Sequence, residues 1–178
     1  AAGELGFTYS REHIVCRPQH WVDRNADDLL LDDPAKSQQE VALFRDAGGR
    51  SIVDATAVDY GRDPGAVRDI SRATGVQIVG TAGFNKGFLW DACMPGKACT
   101  FEQWIESTSV DDLARFVVDE VEHGMNGTDV RGGQVKFGTG YNSITPLEIK
   151  TIRAVCRAHL ETGAPIHSHT EAGTMALE

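Results

Sequence analysis

Hydrophobic positions along the chain follow two alternating patterns. Short apolar runs, typical of buried strands, are separated by longer stretches in which apolar residues recur with helical spacing. The runs predict five strands, at residues 7–15, 51–55, 77–80, 134–138 and 165–169. The stretches between them predict four helices, at residues 34–47, 64–74, 110–123 and 146–162, each followed by a glycine that ends it. In the last helix the recurring apolar residues are Ile149, Ile152, Cys156 and Leu160.

The alternation of strand and helix predicts a parallel sheet with right-handed crossovers. Two α/β architectures have this order: an open doubly wound sheet, and the first part of a (β/α)8 barrel, or TIM barrel. A nucleotide-binding open sheet usually carries a glycine-rich phosphate loop after its first strand. No G-x-G-x-x-G or Walker sequence follows residues 7–15, so the nucleotide-binding open sheet loses its usual support.

Composition restricts the class of protein without identifying its function. The chain has 178 residues, 41% of them hydrophobic and 24% charged, as expected of one soluble globular domain. A net charge of −9 makes nucleic acid and anionic membranes poor partners. No apolar run approaches the roughly 20 residues of a membrane-spanning helix, and the first residues do not resemble a signal peptide. These features predict a cytoplasmic protein.

The four cysteines, Cys16, Cys93, Cys99 and Cys156, include no C-x-x-C pair of the kind found in zinc knuckles. We interpret them as reduced thiols of a cytoplasmic protein. Pairing of Cys93 with Cys99 under oxidation, within the loop that they share, is the less favoured alternative.

Several residues that can carry chemistry lie on the predicted strands. Arg11 and His13 are two positions apart, so they share one face of a strand, and His167 and His169 do the same on the fifth strand. Lys136 lies between two apolar residues that would face the helices, which turns the lysine toward the inside of a barrel. Active sites of α/β barrels lie at the carboxyl ends of the strands, which is where these residues are found.

A lysine that points into a barrel is costly unless something uses its charge. Two roles would account for the inward position of Lys136: pairing with an acid, or reaction of its amine with carbon dioxide to give a carbamate. A carbamate is an anionic ligand with two oxygens and can bridge two divalent ions. The histidines would supply imidazole nitrogens to the same ions, a ligand type that suits zinc.

Seven segments are similar to members of one known family. They are residues 5–14 (LGFTYSREHI), 48–54 (GGRSIVD), 59–63 (DYGRD), 135–139 (VKFGT), 144–148 (ITPLE), 162–166 (TGAPI) and 168–170 (SHT). In this order, and over nearly the whole chain, they resemble the phosphotriesterase family of the amidohydrolase superfamily. The resemblance implies a metal-dependent (β/α)8 barrel, of which residues 1–178 would supply the N-terminal part, about strands one to five. We therefore expect a single catalytic-type domain that is incomplete as it stands.

The resemblance also implies a site with two divalent ions, most simply zinc. Carried over to this chain, its metal ligands are His13, His169 and Lys136, with Lys136 as a carboxylated bridging lysine. The first histidine of the family's H-x-H pair is replaced by Arg11. The family's last two ligands, a histidine and an aspartate from strands six and eight, have no counterpart in residues 1–178. His167 is interpreted as a residue behind the site.

Arg11 has two interpretations that the sequence leaves open. A guanidinium cannot donate a lone pair to a metal and repels one, so the replacement either disables the site or holds an anionic group of the substrate. Lys86, in the loop after the third strand, is a second candidate for contact with an acidic substrate, and Trp21 a candidate for the pocket wall. Packing is the favoured interpretation for Trp21, Trp90 and Phe88. Arg62 and Asp63 are interpreted as a structural turn, and His20, His123 and His159 as surface residues.

The function implied by the resemblance is hydrolysis of a lactone, carboxyl ester or phosphoester by a hydroxide held between metal ions. The alternative is a non-catalytic barrel relative that binds a small molecule or a partner after losing its metals through Arg11. A barrel lyase that uses Lys136 as a Schiff base leaves the histidines unexplained. The expected partners are a small-molecule substrate and either a second copy in a homodimer or a C-terminal segment that completes the barrel.

Overall fold

The structure, a computed structural model, describes residues 5–27 and 30–178. Its strands are β1 (Thr8–Glu12), β2 (Ser51–Asp54), β3 (Gln77–Val79), β4 (Thr81–Gly83), β5 (Gln134–Thr139) and β6 (Ile166–Thr170). Its α-helices are α1 (Gln19–Val22), α2 (Pro34–Asp46), α3 (Pro64–Thr74), α4 (Phe101–Ser107), α5 (Val110–Glu122) and α6 (Pro146–Thr162). Single 3-10 turns are formed by Val58–Tyr60, Gly87–Leu89 and Glu171–Gly173.

The strands pair in chain order and all pairs are parallel. β1 pairs with β2 and β2 with β3, while β4 pairs with β5 and β5 with β6. Only Gly80 separates β3 from β4, so these two are halves of one extended segment that joins the two groups of strands. A doubly wound sheet reverses its strand order at a switch point. This arrangement does not, and it is the strand order of a barrel.

The arc of strands is strongly curved. Arg11 in β1 and His169 in β6, at opposite ends of the strand order, lie within hydrogen-bonding distance, with 3.1 Å between Nη2 and Nδ1. A flat sheet would hold these side chains several strand spacings apart, at nearly 5 Å for each spacing. The chain is therefore folded as part of a barrel, with one inner and one outer face.

The outer face carries the apolar core. Val135 and Phe137 of β5 belong to a cluster with residues of α4, α5 and α6. A second cluster packs α2 and α3 against β2 and against Ile14 and Val15, which follow β1. This confirms that the neighbours of Lys136 face the helices and leaves the lysine on the inner face, where it is fully buried. Within the described part of the chain, no helix is both long and apolar enough to cross a membrane.

The four predicted helices are confirmed, but the apolar pattern of α6 was misleading. Ile149 and Leu160 are exposed, and the buried positions include Ala154, Val155 and Ala158. Small side chains let α6 lie close to α5 and β5, so the contact face is the one with the smaller residues rather than the larger. The short helices α1 and α4 were not predicted, because they lie in segments without a clear helical repeat.

The surface interpretation of His20 is wrong, and the turn interpretation of Arg62 is incomplete. His20 is buried, packs edge-on against Trp21 at 4.6 Å between ring centroids, and bonds through Nδ1 to Asp91 at 2.6 Å. Arg62 is also buried and does more than shape a turn: its guanidinium donates to the carbonyl of Thr81 at 2.6 Å and pairs with Glu120 of α5.

Candidate active site

Lys136 lies near the centre of the inner face. In the strand register it is opposite Gly83 of β4 and His167 of β6. Its Nζ donates to the carbonyl oxygen of Ala55, just after β2, at 2.7 Å. Burial lowers the pKa of Lys136 to about 8, with the negative charge of Asp59 acting in the opposite direction. A lysine with this pKa has an appreciable uncharged fraction near neutral pH.

His13 follows β1 directly and turns into the same region. Its Nδ1 lies 2.8 Å from the hydroxyl of Thr56, which in turn donates to the carboxylate of Asp54. Burial, with the positive charges of Lys136 and Arg11, lowers the pKa of His13 to about 3. The imidazole is therefore neutral under ordinary conditions and keeps a lone pair on one nitrogen.

His169, on β6, is the centre of a hydrogen-bonded cluster. Arg11 stays protonated, so Nη2 donates to Nδ1 of His169, and the ring hydrogen must then be on Nε2. Nε2 donates to Glu171 Oε2 at 3.0 Å. Lys86 Nζ lies 3.1 Å from the same Nε2 and forms an ion pair with Glu171, so the histidine and the lysine share that carboxylate.

The charges around His169 are mostly positive. Burial, followed by the charges of Lys86, Lys136 and Arg11, lowers the pKa of His169 to about 4. Burial also lowers the pKa of Lys86, and the Arg11 charge adds to the effect. A chain with a net charge of −9 thus gathers three cationic side chains at one point, which favours an anionic occupant.

Trp21 lies beside this cluster rather than within it. It packs against Phe88 at 6.0 Å between ring centroids, and Lys86 Nζ lies 4.6 Å from the centre of the Phe88 ring. Trp21 therefore borders the cluster through Phe88. Trp90 is buried in the outer core, which confirms packing as its role.

Sequence reasoning missed four residues of this region. Glu171 pairs with Lys86, Thr56 contacts His13, and Asp54 accepts from Thr56. Asp59 is buried and accepts hydrogen bonds from the backbone nitrogen of Asn85 at 2.8 Å and from the Trp90 indole at 2.5 Å. Asp54 and Asp59 belong to segments 48–54 and 59–63, and the resemblance of these segments to the family was the available signal. Their side-chain contacts depend on the fold and could not be predicted locally.

The donor chemistry partly fits a divalent metal ion. Within residues 5–27 and 30–178, no three His, Cys, Asp or Glu side chains are grouped closely enough to hold an ion by themselves, so a site here needs Lys136 as well. His13 and His169 are neutral imidazoles, the form that binds metals. Both nitrogens of His169 are engaged, however, and Arg11 would have to leave Nδ1 before an ion could bind there.

His167 adds an unpaired group to the same face. It lies beside Lys136 in the register, and its Nε2 is buried without a hydrogen-bond partner among the described residues. Such an atom costs roughly 1–3 kcal/mol. His167 is half-buried beside Lys136, while His13, Lys136, His169, Lys86 and Arg11 are brought together.

Comparison with known proteins gives one consistent result. The model of the phosphotriesterase family matches residues 1–178. A phosphotriesterase homology protein of Escherichia coli is 33% identical over 97% of this chain, and a phospho-furanose lactonase of Mycoplasmopsis agalactiae is 31% identical over 99%. The chain spans about half the length of these curated relatives, 55% and 51% respectively.

Solved structures give the same match. A lactonase from Listeria monocytogenes is 65% identical, with a TM-score of 0.96 over 99% of this chain and 56% of that one. The Escherichia coli protein, solved with phosphate in its active site, has a TM-score of 0.87 at 31% identity over 98% of this chain and 56% of that one. The arc of parallel strands is accordingly part of a TIM barrel.

Proposed function

Because the chain belongs to the phosphotriesterase family, we propose that the protein is a metal-dependent hydrolase that cleaves a lactone, a carboxyl ester or a phosphoester. The observation that carries this proposal is the convergence of His13, Lys136 and His169 on the inner face, from the end of β1, from β5 and from β6. The lactonase names of two relatives support the lactone as the first substrate to try.

The metal ligands in this proposal are His13, His169 and Lys136, the last as a carbamate. A divalent ion supplies Lewis acidity and an activated water at such a site. The low pKa values of the two imidazoles keep them unprotonated, and burial of Lys136 favours the uncharged amine that reacts with carbon dioxide. Zinc fits this combination of nitrogen and oxygen ligands.

The substrate in this proposal carries an anionic group, held by Lys86 and Arg11. In the structure the carboxylate of Glu171 pairs with Lys86, so an incoming anion would take the place of that carboxylate. A phospho-furanose lactonase among the relatives, and the phosphate in the Escherichia coli structure, support a phosphorylated lactone.

A binding module without catalysis is the second candidate, and one contact favours it. Arg11 occupies Nδ1 of His169, and a guanidinium at this point excludes a cation from the same nitrogen. The two candidates differ in metal content: the hydrolase binds metal in its full-length form, and the binding module does not.

The test is an assay of the full-length protein on a five-membered lactone, its phosphorylated form, a carboxyl ester and a phosphotriester. We expect lactone hydrolysis that is lost after chelation and restored by zinc. Failure on all four substrates with metal loaded, or activity that chelation leaves unchanged, would contradict the proposal.

The anionic substrate group has its own test. Lys86→Gln should raise KM for the phosphorylated lactone at least about tenfold and leave KM for the plain lactone near its original value, since a hydrogen bond to a charged group contributes roughly 1.5–3 kcal/mol. An equal rise in KM for both lactones would show that Lys86 does not bind the anionic group of the substrate.

A further inference from the structure

We infer that Thr56 is a positioning residue which, together with Asp54, fixes the tautomer of His13 so that Nε2 is the nitrogen that keeps its lone pair. Neither residue was expected to take part in the site. The inference rests on the proposed function in one respect: the lone pair is taken to serve a metal ion.

The hydrogen positions follow from the chain of contacts. Asp54 Oδ1 accepts from the backbone nitrogen of Thr56 at 3.1 Å and from its hydroxyl. Burial raises the pKa of Asp54 to about 6, which leaves the carboxylate ionised and without a hydrogen to give at neutral pH. The single hydrogen of the Thr56 hydroxyl is therefore used on Asp54, and the hydroxyl oxygen can only accept from His13.

His13 Nδ1, 2.8 Å from that oxygen, must then carry the ring hydrogen. A neutral imidazole has one hydrogen, so Nε2 is left as the acceptor. Metal-binding histidines in proteins usually have this arrangement, in which the second nitrogen donates to a group behind the site that sets the tautomer and the ring orientation.

The support behind His13 is itself held on several sides. Asp54 and Thr56 are both buried. The carbonyl oxygen of Asp54 accepts from the Thr81 hydroxyl at 2.6 Å, and Thr81 in turn accepts from the side chain of Gln134 at 2.7 Å. Residues 54–56 thus support two candidate ligands. The carbonyl of Ala55 accepts from Lys136, and Thr56, which donates to Asp54, contacts His13.

The first measurement needs no metal. In the metal-free full-length protein labelled with 15N histidine, and with the His13 signals assigned by a His13→Gln variant, we expect Nδ1 to carry the hydrogen. Thr56→Val removes the hydroxyl at nearly constant shape and should give a mixture of tautomers, whereas Thr56→Ser should keep the original one. A hydrogen on Nε2 of His13 in the unaltered protein would overturn the inference.

The second measurement is zinc affinity by competition with a chromogenic chelator. Thr56→Val should weaken binding about 10- to 100-fold, the range found when such supporting groups are removed, and Thr56→Ser should stay near the original affinity. Thr74→Val is the matched control, because Thr74 is also buried and donates to the Ile70 carbonyl at 2.8 Å far from the site. A loss for Thr56→Val no larger than that for Thr74→Val would also overturn the inference.

The two measurements separate this inference from the proposed function. If the unaltered protein binds no zinc, the hydrolase proposal fails, while the tautomer measurement still decides whether Thr56 orients His13. If zinc binds equally well to all variants, the hydrolase proposal stands and the role of Thr56 is refuted.

Discussion

At the residue scale, the contact between Arg11 and His169 governs what the site can bind. The guanidinium occupies the nitrogen of His169 that would otherwise be open to a metal ion. Arg11 itself is exposed, and an exposed side chain can turn away at modest cost. In the proposed metal site, the guanidinium of Arg11 would therefore compete with a metal ion for His169.

Arg11→His should raise the metal content of the full-length protein. The substitution removes the competing charge and adds an imidazole two positions before His13, at the residue that contacts His169. After equal exposure to zinc and desalting, we expect elemental analysis to find about one additional ion per chain. Arg17→His is the control, since the side chain of Arg17 is paired with Asp32 at the surface. Equal metal content in Arg11→His and the original protein would show that Arg11 does not displace an ion.

The cysteines should differ sharply in reactivity. Cys16 is buried, and burial raises the pKa of its thiol to about 12, whereas Cys93 is exposed. Because the thiolate is the reactive form, iodoacetamide at mildly alkaline pH should label Cys93 and leave Cys16 unlabelled until the protein is unfolded. Mass spectrometry of peptides from native and urea-treated samples measures this. Equal labelling of the two in the native protein would contradict the burial of Cys16.

Sequence reasoning reached the strand residues of the site but not their partners. The inward direction of Lys136 followed from its apolar neighbours on the strand, and the family resemblance singled out His13 and His169. The bond between Arg11 and His169 joins residues 158 positions apart, and only the curvature of the arc brings them together. Glu171 was missed for the same reason, because its role depends on Lys86 from a different loop.

At the element scale, one buried ion pair ties the turn after β2 to α5. The side chains of Arg62 and Glu120 are 3% and 5% exposed. Each buried charge is therefore compensated by the other and by hydrogen bonds with nearby backbone groups. Arg62 also donates to the Thr81 carbonyl, and Glu120 accepts from the backbone nitrogen of Gly83 at 3.3 Å. This pair therefore connects the turn after β2, α5 and β4.

Arg62→Met should destabilise the protein by about 3–5 kcal/mol, because it leaves Glu120 buried without a compensating charge. The free energy of unfolding of the full-length protein in urea measures this. Arg68→Met is the control: the pair of Arg68 with Asp129 is at the surface, where such pairs contribute about 0–1 kcal/mol. Similar losses of unfolding free energy for the two variants would show that the pair of Arg62 with Glu120 contributes no more to stability than a surface pair.

The elements themselves were largely predictable, whereas their packing was not. The bounds of α3 and α6 match the prediction, since both begin at a proline and end before a glycine in the left-handed conformation, Gly75 and Gly163. The face that α6 buries was not predicted, because apolar periodicity identifies large residues and this contact uses small ones. Ile149 and Leu160 remain exposed as a result.

At the scale of the whole molecule, the arc has two open edges. Among the described residues, β1 and β6 each pair with a neighbour on one side only. Tyr9 and Phe7 near the first edge are 50% and 69% exposed. Unpaired backbone groups and exposed aromatic side chains at an edge favour association with further strands. Barrel closure removes both edges, and a (β/α)8 barrel typically needs about 250 residues.

Residues 1–178 expressed alone should therefore lack a sharp unfolding transition, and should aggregate or bind a hydrophobic dye. The physical reason is that the edge strands β1 and β6 each have one side without a strand partner among the described residues, and that Phe7 and Tyr9 beside the first edge are exposed. Urea unfolding followed by circular dichroism, beside the full-length protein, measures the difference. A soluble monomer with a cooperative transition and bound metal would contradict this account of the fold, whereas rescue by a co-expressed C-terminal segment would support it.

The most direct test of the proposed site is a crystal structure of the full-length protein soaked in zinc, with anomalous diffraction recorded at the zinc absorption edge. We predict an anomalous peak bounded by His13, Lys136 and His169, extra density for a carboxyl group on Lys136 Nζ, and Arg11 moved away from His169. The contrary result is a map without a peak at these residues, in which Arg11 still donates to His169 and an unmodified Lys136 still donates to Ala55.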